Sequence, residues 1–183
     1  MAQSNKRTMF VVSGVVHIVR RRGTILIDEA DLQLLHGRAL LIDKCGYARV
    51  SATAGIDKTS SSVGLHRLIV NAPEGMLVDH INRNSLDNRR LNLRLCTMSQ
   101  NKANSEGRSC RTVPYKGLRF DKRRKTNKWL ARIGVNGKIR NLGSFPTAEL
   151  AAIAYNVAAV EEFGGFACLN VILPSTSQLQ LAM

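Results

Sequence analysis

Read for its apolar and polar positions, the first half of the chain predicts short strands and short helices joined by turns. β-Branched residues across 9–27, broken by Gly14 and Gly23, predict two short strands around Arg20-Arg21-Arg22. Residues 27–35 combine an acidic first turn with apolar residues at helical spacing, which predicts a short helix. Residues 40–50 read as strand, turn at Lys44-Cys45-Gly46 and strand, and 51–64 as a Ser, Thr and Gly-rich loop. A short apolar helix over 65–70 then feeds the turn Pro73-Glu74-Gly75. Met76-Leu77-Val78 is an apolar run ending in Asp79-His80, and 82–90 has the composition of a compact polar loop. Leu93-Arg94-Leu95 alternates as a second short strand, after which Thr97 or Ser99 can cap the polar helical segment that carries Asn101.

The pattern changes after a polar, basic stretch at 104–111 that includes Gly107. Strands are predicted over 115–120, 129–135 and 138–145, with Asn136-Gly137 as a two-residue hairpin turn and Gly143 easing a bend. A helix opens at Pro146 and runs to Phe163, with Leu150, Ala151, Ala154, Tyr155, Ala158 and Ala159 on its packing face and Gly164-Gly165 ending it. Residues 1–8 read as a loose terminus, and 171–183 as a frayed or partner-bound tail. The expected class is α+β: N-terminal β-hairpins and a ββα finger, followed by a small three-stranded antiparallel sheet packed on one helix.

Charge narrows the partners. The formal net charge is +14 over 183 residues, which steers a protein towards polyanions and releases counterions on binding. Without a long apolar run or a strongly amphipathic basic helix, nucleic acid is expected over membrane. Residues 9–19 are partly apolar, but Ser13, Gly14 and His17 break them, so no signal peptide is expected. The four cysteines, Cys45, Cys96, Cys110 and Cys168, form no Cys-x-x-Cys pair and are expected as reduced, buried thiols of a cytosolic protein.

The chemistry gathers at 78–101. A carboxylate and an amide oxygen, Asp79 and Asn101, are hard ligands for Mg²⁺, which keeps waters and takes phosphate oxygens. An imidazole, His80, titrates near neutrality and can take a proton from water. Neighbouring strand residues point to opposite faces, so Asp79 and His80 share a site only if the strand ends or twists there. Asp28, Glu29 and Asp31 are expected to be helix-dipole charges rather than a metal cluster. His17 and His36 are expected to be structural, and His66 a helix-packing or phosphate-contacting residue. Arg20-Arg21-Arg22 reads equally as a phosphate contact or a solvated turn.

The ordered set Asp-His-Ile-Asn, Leu-Asp-Asn-Arg-Arg, Asn-Leu-Arg and Gln-Asn resembles the HNH nuclease motif, a ββα-metal finger. The resemblance implies His80 as general base, Asp79 and Asn101 as ligands of one divalent metal, and Asn92 as a brace of the loop. With Asn101 in the last position the motif is similar to the phage homing-endonuclease branch, a likeness that extends upstream to about Ile25. The zinc-binding cysteine frame of many such proteins is missing, so Mg²⁺ or Mn²⁺ and no zinc is the expectation.

Residues 113–170 resemble the plant ethylene-response-factor type of DNA-binding domain, through Tyr-Lys-Gly-Leu-Arg, Trp-Leu-Ala-Arg-Ile, Leu-Gly-Ser-Phe and the closing Ala-Cys-Leu-Asn. Such domains lay the sheet in the major groove. The resemblance implies DNA contacts from Lys116, Arg119, Arg132, Lys138, Arg140 and Asn141. Alternation puts Ile139 and Asn141 on one face and Lys138 and Arg140 on the other; Trp129 is expected in the core.

The expected organisation is a nuclease domain over 1–104 with its finger at 76–104, a linker at 105–112, a DNA-binding domain at 113–170 and a tail at 171–183. The expected activity is that of a phage-type HNH homing endonuclease, a monomer that nicks duplex DNA in the cytoplasm of a host cell. Two rivals accompany it. A DNA-binding regulator would need a degenerate finger, and an RNA-binding or ribosome-associated protein would explain the charge but not Asp79, His80 and Asn101.

Overall fold

Alternation builds the first sheet. β1 (Thr8–Val12), β2 (Val15–Arg20) and β3 (Gly23–Asp28) form an antiparallel meander in which Val16 faces Ile27 and Ile18 faces Ile25. All four side chains are buried on one face. The structure is a computed structural model, and it describes residues 8–51, 62–106, 113 and 115–172. The stretch thus holds three strands where two are expected, because Ser13 and Gly14 both adopt left-handed φ (52° and 75°) and close a two-residue turn. The expected helix at 27–35 is a 3-10 helix, Glu29–Leu35, and Asp28 at its N-cap makes no capping bond through its side chain.

A second antiparallel sheet follows, ordered β4 (Leu40–Ile42), β5 (Ala48–Ser51) and β6 (Ser62–Gly64). Asp43 Oδ1 accepts hydrogen bonds from the Cys45 and Tyr47 amides, both at 2.9 Å, and so shapes the turn between β4 and β5. α1 (Leu65–Ile69) leads to a hairpin of β7 (Leu77–His80) and β8 (Leu93–Cys96). One core joins these elements: Val16, Ile18, Ile25, Ile27, Leu35, Leu40, Ala48, Val50, Leu65, Ile69 and Leu93. The loop between β7 and β8 is bonded into the fold by the Leu26 amide on Leu86 O (2.9 Å) and the Asn88 amide on Leu26 O (2.8 Å). It crosses Gly23 so closely that a Cβ there would lie 2.6 Å from Leu86 Cδ1.

Contacts divide the chain into two units, Met1–Thr97 and Met98–Met183. The second begins with α2 (Met98–Asn104) and contains β9 (Leu118–Phe120), β10 (Trp129–Val135), β11 (Lys138–Phe145) and α3 (Ala148–Phe163). Its sheet is ordered β11-β10-β9. Asn136 and Gly137 turn with φ of 48° and 79°, as a type I′ hairpin requires. α3 is capped by Thr147 Oγ1, which accepts from the Leu150 amide at 3.3 Å. Ala151, Ala152, Tyr155, Ala158 and Ala159 are buried against the sheet, whereas Leu150, expected on that face, is exposed. Ala103 of α2 joins this core, and its carbonyl accepts from the Cys168 amide. Asn170 closes the unit by bonding Lys116 N (2.7 Å), Lys116 O (3.1 Å) and both the oxygen and the nitrogen of the Asn156 side chain.

Of the described cysteines, none is paired: Cys96 is buried, Cys168 half-buried and Cys45 exposed, so burial holds for one of them only. Cys110, most of the 105–112 stretch and residues 173–183 lie outside the described residues. Among the described residues no helix is long and apolar enough to cross a membrane.

Candidate active site

β7 stops at His80, and both of its last residues are buried, Asp79 at 5% exposure and His80 at 6%. Asp79 faces Arg94 across the hairpin; Arg94 Nε donates to Asp79 Oδ2 at 2.8 Å and Nη2 stands 2.7 Å from the same oxygen. The charge-assisted pair fixes the carboxylate plane. His80 faces Leu93, and its ring meets two others: His66 at 5.3 Å, edge-on at 67°, and Tyr47 at 6.0 Å. Burial lowers the His80 pKa from its ordinary value, against the opposing pull of the Asn88 amide and the carboxylates Asp79 and Asp87.

The loop above is held by its own polar side chains. Asn92 Oδ1 accepts the Asn82 amide (2.9 Å), while Asn92 Nδ2 donates to Asn82 Oδ1 (2.9 Å) and to the Asp87 carbonyl (2.7 Å). Asp87, 1% exposed, takes a fork from Arg89 at 2.7 and 2.6 Å and a third bond from Asn82 Nδ2 at 2.8 Å. The Arg89 guanidinium holds the Asp87 carboxyl below its ordinary range. Ser85 Oγ donates to Gly46 O at 2.7 Å, tying the loop to the turn that carries Tyr47.

Asp28 and Asp31, expected to act on a helix dipole, serve the loop instead. Arg90 forks onto Asp31 at 2.8 and 2.6 Å, and the Arg90 amide donates to Asp28 Oδ2 at 2.7 Å. These partners stand 59 and 62 positions apart, so no local pattern discloses them. The parts played by Tyr47 and Arg94 were likewise missed, since each acts only through a neighbour supplied by folding.

His66 is held neutral. Burial, then the neighbouring His80 and the cations Arg67 and Arg49, lower its pKa from 6.5 to about 4. Between those values the unfolded chain takes up a proton that the folded chain refuses, so stability is full above pH 6.5 and falls as pH drops towards 4. Replacing His66 by Phe is expected to flatten that slope by about 1–2 kcal/mol at pH 5, a discounted value because the ring is only partly buried. Urea midpoints of both proteins at pH 7.5 and pH 5 measure it.

Asn101 lies half-buried on α2, in the second unit. Among the described residues no group of three or more His, Cys, Asp or Glu converges as a metal site. The Asp79 carboxylate offers oxygen donors, which suit a hard divalent cation better than a soft one.

In the second unit Arg119 and Arg132 stand exposed on the sheet face opposite α3, with Asn141 beside Arg132 in register. The alternation expected for β11 is observed. Arg140 turns to the helix side, where Nη1 is 2.8 Å from Glu162 Oε1, and Lys138 shares that side opposite Val135. Lys116 is engaged elsewhere: its Nζ donates to the carbonyls of Ala103 and Ser105, both at 2.6 Å, which closes the end of α2. Trp129 is half-buried, tilted against Phe120 at 4.8 Å, and packs on the core.

A family model described as HNH endonuclease matches residues 63–103. An uncharacterised HNH endonuclease of Acanthamoeba polyphaga mimivirus is 32% identical over 180 residues, covering 93% of this chain and 89% of that protein. The similar protein is thus viral, but not from a bacteriophage. No solved structure matches the chain.

Proposed function

Because the chain belongs to the HNH endonuclease family, we propose that it is a metal-dependent endonuclease that hydrolyses a phosphodiester in duplex DNA. The observation that carries this reading is the placing of Asp79 and His80 at the buried end of β7, beneath a loop braced by Asn92 and Asp87. His80, kept neutral by burial, takes the proton of the attacking water. Asp79, oriented by Arg94, and Asn101 are the residues that would hold a single Mg²⁺ or Mn²⁺. When bound, that ion supplies Lewis-acid stabilisation of the pentavalent phosphate and the leaving oxygen. The products carry 5′-phosphate and 3′-hydroxyl ends.

A single centre cuts one strand, so the monomer nicks. The second unit docks on the duplex through the exposed sheet face, with Arg119, Arg132 and Asn141 towards the groove and Lys138 and Arg140 at its rim on phosphates. Recognition of one site by such a module, joined to a nicking centre, is the arrangement of a homing enzyme. It works in the cytoplasm of a host cell.

The test is cleavage of a supercoiled plasmid carrying host DNA, with Mg²⁺, Mn²⁺ or EDTA. Metal-dependent conversion to open circles is expected, abolished by EDTA. Tight DNA binding with no product in either metal on any substrate would overturn the enzyme and leave a DNA-binding regulator.

A further inference from the structure

We propose that His66 is a positioning residue for the nuclease base, its ring and that of Tyr47 forming a wall that holds the His80 imidazole in one orientation. The inference rests on the reading of His80 as the base. Backbone geometry alone does not fix that imidazole, because β7 ends at His80; the Asn88 amide acts on the ring, and the rings of His66 and Tyr47 stand beside it. Those neighbours are specific. His66, His80 and Tyr47 close a triangle of rings with centroid separations of 5.3, 5.6 and 6.0 Å, all tilted or edge-on, the arrangement aromatic rings prefer to face-to-face stacking.

The wall is itself fixed. The His66 ring folds back over Gly64, where a Cβ would meet Cε1 at 2.7 Å, Nε2 at 3.1 Å and Nδ1 at 3.2 Å. Beside it Arg67 donates to the carbonyls of Met76 (2.6 Å), Pro73 (3.0 Å) and Ala72 (3.3 Å), which locks α1 to the segment entering β7. Tyr47 is set by the Asp43 turn and by the Ser85 bond to Gly46. Nδ1 of His66 is buried without a hydrogen-bond partner among the described residues. An imidazole serving only its own helix would gain nothing from burying that nitrogen, so its value lies in what the ring touches.

The experiment compares wild type, His66→Ala, His66→Phe and Tyr47→Ala by nicking kinetics, thermal melting and the imidazole NMR signals of His80. His66→Ala is expected to lower kcat by about ten- to a hundredfold, the cost of a misplaced catalytic group, with KM unchanged and the His80 signals shifted or doubled. His66→Phe restores the ring and most of kcat, and Tyr47→Ala gives a smaller loss of the same kind should His66→Ala fail to fold. An unchanged kcat, a loss confined to KM, or a His66→Phe as inactive as the alanine variant would overturn the proposal; the last would give the nitrogen itself a chemical task. If wild type cuts nothing, the nuclease reading fails by itself. The NMR signals then still decide the contact, since His80 signals identical in wild type and His66→Ala would overturn it.

Discussion

His80→Ala is expected to bind duplex DNA as wild type does and to nick it about 10²–10⁴-fold more slowly, the usual worth of a positioned general base. Affinity should survive because it comes from cations on phosphates, and His80 is one neutral group in a chain of formal charge +14. Single-turnover nicking at saturating enzyme, beside a binding titration at fixed salt, separates the two quantities. An unchanged rate would remove His80 from the chemistry. A parallel loss of affinity would make it a binding residue. Melting of the variant is the control, because removing a buried ring opens a cavity beside His66 and Tyr47.

Arg90→Ala is expected to destabilise the first unit by about 3 kcal/mol, the scale for leaving a buried carboxylate without its partner. Asp31 is only 4% exposed and loses both bonds of the fork, whereas Arg90 itself is 55% exposed, so the cost falls on the aspartate left behind. Arg90→Ala paired with Asp31→Leu should recover much of the loss, since it removes the stranded charge and adds apolar contact. Urea unfolding of the single and double variants measures both. A single variant as stable as wild type would mean that water reaches Asp31 and that the clamp is ornamental.

Local signals explain what could be read from the chain. β10 and β11 begin and end where expected and α3 ends there, two residues shorter at its start than the expected opening at Pro146, because Asn136-Gly137, Thr147 and Gly164 each act on their immediate neighbours. The turn at Ser13-Gly14 carries a weaker signal, and two strands were expected where three stand. Seven residues of acidic amphipathic sequence, Glu29–Leu35, wind as 3-10 rather than α, a difference that their apolar spacing does not disclose. On α3 apolar residues occur on both sides, so periodicity could not choose between Leu150, which is exposed, and Ala152, which is buried.

The candidate site divides along the same line. Its hairpin and loop are contiguous in sequence, and the motif residues could be named from it. The partners that shape them could not: Tyr47 and His66 approach His80 from a turn and a helix, and Asp28 and Asp31 reach Arg90 across 62 and 59 positions. The two acidic residues looked like helix-dipole charges because a helix N-terminus is all that one dimension shows around them.

The clamp on Arg90 also bears on how portable the finger is. Family likeness falls on residues 63–103, a stretch that excludes Asp28, Asp31, Leu26 and Gly46, each of which bonds the loop. The recognisable motif is therefore smaller than the mechanical unit that keeps it in shape. Transplanted alone onto another scaffold, it would bring its chemical groups without the outer fastenings of their loop. A graft that begins at β2 would carry its own frame, and the divergence tolerated in that frame should be lowest at the two aspartates.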